Sequence, residues 1–211
     1  MCIRDRYEAT HDNPDKDPYM AFEKDFMRFM LSDGAGAVLV QDYPEGACPL
    51  KIEWVDMTSY ANELPTCMFM ASELQENGRL KSWKEFSPDE IKERAVLVGK
   101  QDIRQLKKYI IKFWVDHIET VLAKHHVKAE EIDHVIPHVS SMFFYEKLND
   151  EIAARNIALT KEKWFTNLTS VGNIGSAAIY VGLEELIRTK EIKQGDKILL
   201  LVPESGRFSY G

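Results

Sequence analysis

Along one long stretch the hydrophobic positions recur at helical spacing. Ile103, Leu106, Ile110, Phe113, Trp114, Ile118, Val121 and Leu122 fall three and four apart, while Arg104, Lys107, Lys108, Lys112, Asp116 and Glu119 take the other side. That period predicts an amphipathic helix. Two apolar runs read as strands: Ile132-Asp133-His134-Val135-Ile136, broken at Pro137, and Lys197 to Val202, a continuous run that predicts burial on both faces. Between them, Ser140 or Ser141 caps a helix with the stripe Phe143, Phe144, Leu148, Ile152. A short strand is expected around Trp164 to Leu168. The turn Ser170-Val171-Gly172-Asn173 then opens into the small-residue start of a further helix that carries Ala177, Ala178, Val181, Leu186 and Ile187. Gly195-Asp196 turns the chain into the second strand. Strands alternating with helices predict an α/β layered fold.

Upstream the pattern is weaker. Residues 7–20 are polar and read as loop, and Met1-Cys2-Ile3-Arg4-Asp5-Arg6 resembles a translated adapter, so residues 1–20 are expected to be an artefactual or disordered tail. Phe22, Phe26, Met27, Phe29 and Met30 form a hydrophobic lead-in. In Leu31 to Val40 the Gly/Ala half suits a close approach of another segment, and the Val/Leu half predicts a buried strand. Asp42 to Pro49 is a turn or linker, and Leu50 to Thr58 alternates as a strand would. Met57 to Ala71 reads as core or a dimer surface in preference to an acyl pocket. The charged stretch Glu73 to Glu93 is a solvated excursion in which Ser87-Pro88-Asp89-Glu90 starts a helix. Pro203-Glu204-Ser205-Gly206 is a turn, and Arg207 to Tyr210 begins a last strand that reads as cut at Gly211.

Charge narrows the function class. With 27 basic and 34 acidic side chains the net charge is −7, the wrong sign for a nucleic-acid binder, although a local basic patch for an acidic carrier stays open. Cys2, Cys48 and Cys67 make no metal or disulfide framework and suit a reducing cytoplasm. No apolar run reaches the length of a membrane span. His125 and His126 fall in or just past a last helical turn, where cations favour the dipole, and read as caps, not metal ligands. His134 and His138 flank Pro137 with no third ligand in view, and no metal is expected. Gly34-x-Gly36 lacks the following Lys-Ser/Thr of a phosphate loop.

Three features carry chemistry when they occur together and in order: Pro137-His138, then Gly172-Asn173-Ile174-Gly175-Ser176-Ala177-Ala178, then the turn Glu204-Ser205-Gly206-Arg207. Singly, a histidine after proline is an ordinary polar residue, and asparagine after glycine is turn chemistry. Together, over roughly Phe29 to Gly211, they resemble the C-terminal half of the thiolase-fold condensing enzymes, in particular the β-ketoacyl-ACP synthase III family. The resemblance implies a thiolase-like layered fold, mainly the second half of a pseudo-duplicated architecture. Residues 21–45 would be the last strand region of the first half, and 46–211 the C-terminal domain, truncated at its final strand.

It also implies a reaction, a decarboxylative Claisen condensation of an acyl thioester, held on a cysteine, with a malonyl thioester. Both substrates are carried by acyl carrier protein or coenzyme A, in fatty-acid or polyketide-like lipid synthesis. His138 and Asn173 match the family's side-chain donors and Gly206 its backbone oxyanion donor. The nucleophilic cysteine has no match here, so the fragment is expected to be inactive alone. No cofactor is implied, and the full-length protein is expected to be a cytoplasmic homodimer. The sequence departs from the family where Pro-His-Gln-Ala-Asn, then a carrier-docking arginine, is replaced by Pro137-His138-Val139-Ser140-Ser141-Met142-Phe143, and where the family's glycine-rich turn is altered to Glu204-Ser205-Gly206-Arg207; both changes tell against the ordinary initiation specificity and carrier docking of the family. That departure suits a divergent branch, such as aryl-polyene or dialkylresorcinol synthases. It keeps open an O- or N-acyltransferase of the same family, and a non-catalytic partner subunit of a ketosynthase.

Overall fold

The structure, a computed structural model, describes residues 30–46 and 48–211. The polar stretch of residues 7–20 and the lead-in as far as Phe29 lie outside the described residues. In chain order the elements are β1 (Thr58–Ser59), β2 (Met68–Phe69), β3 (Ser72–Leu74), β4 (Leu80–Ser82), α1 (Pro88–Glu93), β5 (Lys100–Gln101), α2 (Ile103–Lys124), β6 (His134–Pro137), α3 (Met142–Ala154), α4 (Leu168–Val171), α5 (Ala178–Thr189), β7 (Ile198–Leu201), β8 (Pro203–Glu204) and β9 (Ser209–Tyr210).

Helix α2 runs where the period places it. Asp102 caps its first turn by accepting from the Gln105 N–H at 2.9 Å, and His125 is its C-cap. Its stripe buries Leu106, Ile110, Trp114, Val115, Ile118 and Leu122 against Phe144, Leu148 and Ile152 of α3. Each such side chain contributes about 1.5–3 kcal/mol by leaving water. Arg155, at the end of α3, ties the pair by its edge, with Asp116 at 2.6 Å, Glu119 at 2.7 Å and Glu151 at 2.7 Å.

Beneath these helices β6 and β7 pair in parallel, Val135 opposite Leu199 and Pro137 opposite Leu201. Successive strand residues point to opposite faces. Val135, Leu199 and Leu201 enter the α2–α3 core, whereas Ile136, with Ile198 and Leu200, packs on Ile179 and Leu186 of α5. Helices therefore cover both faces of a parallel pair, as the layered reading requires. A second sheet, ordered β1-β9-β8, closes the end of the core with Phe208 and Tyr210.

Several local expectations give way. Leu31 to Val40 forms no strand, and Val38, Leu39 and Val40 are exposed. A strand needs a neighbour for its N–H and C=O groups, and among the described residues none lies alongside. The close approach expected of the Gly/Ala half does occur. Ser32 donates its N–H to Asn173 O at 2.8 Å, and a Cβ on Gly34 would lie 2.7 Å from Ile174. Leu50 to Thr58 contracts to Thr58–Ser59, whose partner β9 is itself only two residues long. Around Trp164 a single parallel bridge to Val135 replaces the expected strand, because Thr166 Oγ1 accepts the Leu168 N–H and turns the chain into α4. Strand β6 begins two residues late and keeps Pro137, which needs no N–H there. Within Met57 to Ala71 only Cys67 is buried, and Met57 and Met70 face solvent, so that stretch is neither uniform core nor pocket.

Candidate active site

The carboxyl end of β6 places His138. Its backbone N–H donates to Leu201 O at 2.8 Å, which fixes the main chain, while the imidazole has no hydrogen-bond partner among the described residues. Burial holds its pKa below the ordinary 6.5, so the ring is neutral at neutral pH. A neutral imidazole keeps one N–H donor and one acceptor nitrogen.

His138 lines a cavity of about 20 Å³ together with Pro137, Phe165, Thr166, Asn167, Gly172 and Ala178. That is room for one water. Gly172 makes the corner: its φ of +82° lies in the left-handed region open to glycine. Asn173 follows, 7 % exposed, with its Oδ1 accepting the Gly175 N–H at 3.2 Å. Because Oδ1 is engaged as an acceptor, the Nδ2 amine is the donor end. The end of β6 and the corner between α4 and α5 thus meet on one cavity, through His138 and Gly172. Asn173 itself is not among the lining residues.

Gly206 is not either. It sits in the β8–β9 turn, buried, with its C=O accepting the Cys67 N–H at 2.8 Å. Its own N–H is taken by Glu204 Oε1, and the Arg207 N–H donates to Glu204 Oε2 at 2.9 Å. A Cβ on Gly206 would lie 2.5 Å from Glu204 Oε1 and 3.3 Å from Met68 O, so a larger residue there would push the carboxylate aside.

The other chemistry-bearing side chains have structural roles. Burial pushes the Cys67 thiol up to about 12 and Sγ donates to Asp102 O at 3.3 Å, so it is no thiolate. The His125 ring stacks on Trp54 at 4.4 Å and bonds Asp56, which Lys124 also holds at 2.6 Å. His117 is buried in the core with Nδ1 3.1 Å from Thr58 Oγ1. Among the described residues no group of three His, Cys, Asp or Glu side chains could hold a metal, and no helix is long and apolar enough to cross a membrane.

Sequence reasoning missed two wall residues, Thr166 and Asn167, the latter bonded to Glu185 Oε2 at 2.7 Å. The available signal was their position at the carboxyl end of the Trp164-Phe165 segment, where α/β sheets present ligand groups. It also left unplaced a groove of about 470 Å³ between α2 and α3, whose lining mixes Lys107, Lys108, Lys112 and Lys147 with Asp150 and Glu151.

Residues 122–207 match the family described as 3-oxoacyl-[acyl-carrier-protein] synthase III C terminal. The beta-ketoacyl-[acyl-carrier-protein] synthase III of Clostridium perfringens is 27% identical over 172 residues, 82% of this chain and 48% of that protein. The Aquifex aeolicus protein of the same name is 33% identical over 103 residues, 49% of this chain and 32% of its own. The chain spans about half the length, or less, of these curated relatives. Among solved structures, the 3-oxoacyl-(acyl carrier protein) synthase III of Pseudomonas aeruginosa PAO1 has a TM-score of 0.54 at 16% identity, covering 74% of this chain and 40% of that one. A tetronic acid condensing enzyme has a TM-score of 0.57 at 14% identity, covering 76% and 43%. At such identities the likeness concerns the fold, which is the thiolase-like α/β architecture.

Proposed function

We propose that the chain, whose residues 122–207 match the synthase III C-terminal family, is the C-terminal part of a β-ketoacyl-ACP synthase III-like condensing enzyme and supplies its decarboxylation site. In this reading residues 21–45 end the first half of the fold, 46–211 form the second, and 1–20 are a tail. The observation that carries the reading is His138: a neutral imidazole with no hydrogen-bond partner among the described residues, at the carboxyl end of a parallel strand, on a cavity that Gly172 also lines.

The chemistry follows from that placement. An acyl group waits as a thioester on a cysteine outside this chain. The C–CO2 bond of a malonyl thioester breaks, and its electron pair passes into an enolate. The enolate oxygen accepts hydrogen bonds from the His138 imidazole N–H and the Asn173 amide. Aimed donors in a dry site stabilise developing charge more than water does. The enolate carbon then attacks the acyl carbonyl, and the cysteine thiolate leaves. Cys67 is held as a thiol and neither Cys48 nor Cys67 matches the family's nucleophile, so the chain alone is inactive. Lys107 and Lys108, in the groove beside Phe143, offer positive charge for delivery of substrates by an acidic acyl carrier protein, with coenzyme A thioesters as the other source. The whole enzyme is a cytoplasmic homodimer serving fatty-acid or polyketide-like lipid synthesis.

A second reading has one supporting observation: Phe143 stands where the family carries its docking arginine, and Val139-Ser140-Ser141 replaces Gln-Ala-Asn. These changes suit an O- or N-acyltransferase of the same family, or a non-catalytic subunit of a paired synthase. One experiment separates the three. The full-length protein is incubated with an acyl-coenzyme A and radiolabelled malonyl thioester. A synthase forms an acyl-enzyme and releases labelled CO2, an acyltransferase forms the acyl-enzyme without CO2, and a subunit forms neither.

A further inference from the structure

We propose that the backbone amides of Gly206 and Arg207 form an anion-binding pair that Glu204 fills in cis, making Glu204 the residue that sets how readily this turn accepts the oxyanion of an acyl thioester. The proposal deepens, and rests on, the reading of Gly206 as a backbone donor. Two successive N–H groups converge on one carboxylate, Gly206 on Oε1 and Arg207 on Oε2. Such a pair is a concavity for anions.

The turn is held from its other side. Gly206 C=O accepts the Cys67 N–H at 2.8 Å, the Asp102 N–H bonds Cys67 O at 2.8 Å, and Gln101 Nε2 donates to Ser205 Oγ at 3.1 Å. The amides keep their direction whether or not the carboxylate is there. Glu204, by contrast, is exposed and makes no ion pair among the described residues. Its side chain is anchored only by the two amides it occupies. Glu85 and Glu90 also accept backbone N–H groups, but each does so in a reciprocal capping box at a helix start. Glu204 has no helix to cap. Two anionic oxygens cannot share the same pair of amides, so a thioester oxygen gains these donors only by displacing the carboxylate.

The test has two arms. In this chain, Glu204→Ala should move the Gly206 and Arg207 amide proton resonances upfield, and added acetate should move them back, while the unmutated chain ignores acetate. Resonances indifferent to Glu204→Ala, a variant that ignores acetate, or an unmutated chain that responds equally would each overturn the proposal. In the full-length enzyme, single-turnover acyl transfer from acetyl-coenzyme A should rise about tenfold in Glu204→Ala, because a competing charge is gone. Glu204→Gln, uncharged but still able to accept one amide, should fall between. Slower transfer in both would mark Glu204 as a plain turn cap and overturn the proposal. Failure of the synthase reading looks different: no form makes an acyl-enzyme, and the amide arm still decides the role of Glu204.

Discussion

The backbone N–H of His138 donates to the carbonyl of Leu201 at 2.8 Å, one step beyond the last registered pair of β6 and β7. The bond sets the imidazole at the carboxyl ends of two parallel strands, and it is made by main chain alone. Replacing the side chain therefore leaves the strand pairing intact, which separates the chemistry of His138 from its part in the fold.

That separation bears first on pH. Burial holds both His138 and His117 below the ordinary value of 6.5. The unfolded chain then binds more protons than the folded one as the pH falls below 6.5, so stability is full above that value and is lost toward the folded-state pKa values. The melting temperature should fall between pH 7 and about pH 5, before most carboxylates titrate. His117→Gln should flatten part of the slope. A melting temperature that holds or rises over this range would contradict the assignment.

The α2–α3 pair depends on Arg155 at its edge and Leu148 at its centre. Arg155→Ala leaves Asp116, Glu119 and Glu151 without their shared cation and should cost about 1–3 kcal/mol in urea unfolding. Arg155→Lys should recover only part, since an ammonium lacks the planar fork. Leu148→Ala empties a fully buried position and should cost about 2–5 kcal/mol. Equal effects of Arg155→Ala and Arg155→Lys would argue against the fork.

Gly172→Ala tests the corner that leads into Asn173. A Cβ at φ +82° costs about 1–2 kcal/mol and also meets the Ser32 side chain. Thermal melting should show that loss, with the amide resonance of Ser32, bonded to Asn173 O, displaced. An unchanged Ser32 resonance would show that the corner had not moved.

Much of the second half of the chain was legible because its signals are local. The α2 stripe, the run of β7 and the capping box at Ser87 need no knowledge of a partner. Leu31 to Val40 and Leu50 to Thr58 were over-read because an apolar run records a tendency toward burial and cannot name the strand that would pair with it. The β3–β4 hairpin was missed for the converse reason: Glu73 and Lys81 face each other across it and give no apolar alternation. The position of His138 at a strand end was legible from the proline before it, whereas its proposed role came from the family resemblance alone. Glu204 was not legible, since nothing in Pro-Glu-Ser-Gly says that a carboxylate will fold back onto two amides. Thr166 and Asn167 became visible only when the Trp164 bridge fixed which end of the segment faces the cavity.

The proposed roles of His138 and Asn173 as donors to an enolate are measured most directly by the rate of malonyl thioester decarboxylation. In the full-length protein His138→Ala and Asn173→Ala should each slow CO2 release by about a hundredfold or more, the scale of losing one oxyanion donor. Acyl transfer onto the cysteine should suffer less. The double variant should lose less than the product of the two, as donors acting on one oxygen do. A His138→Ala enzyme that releases CO2 at the unmutated rate would contradict the account.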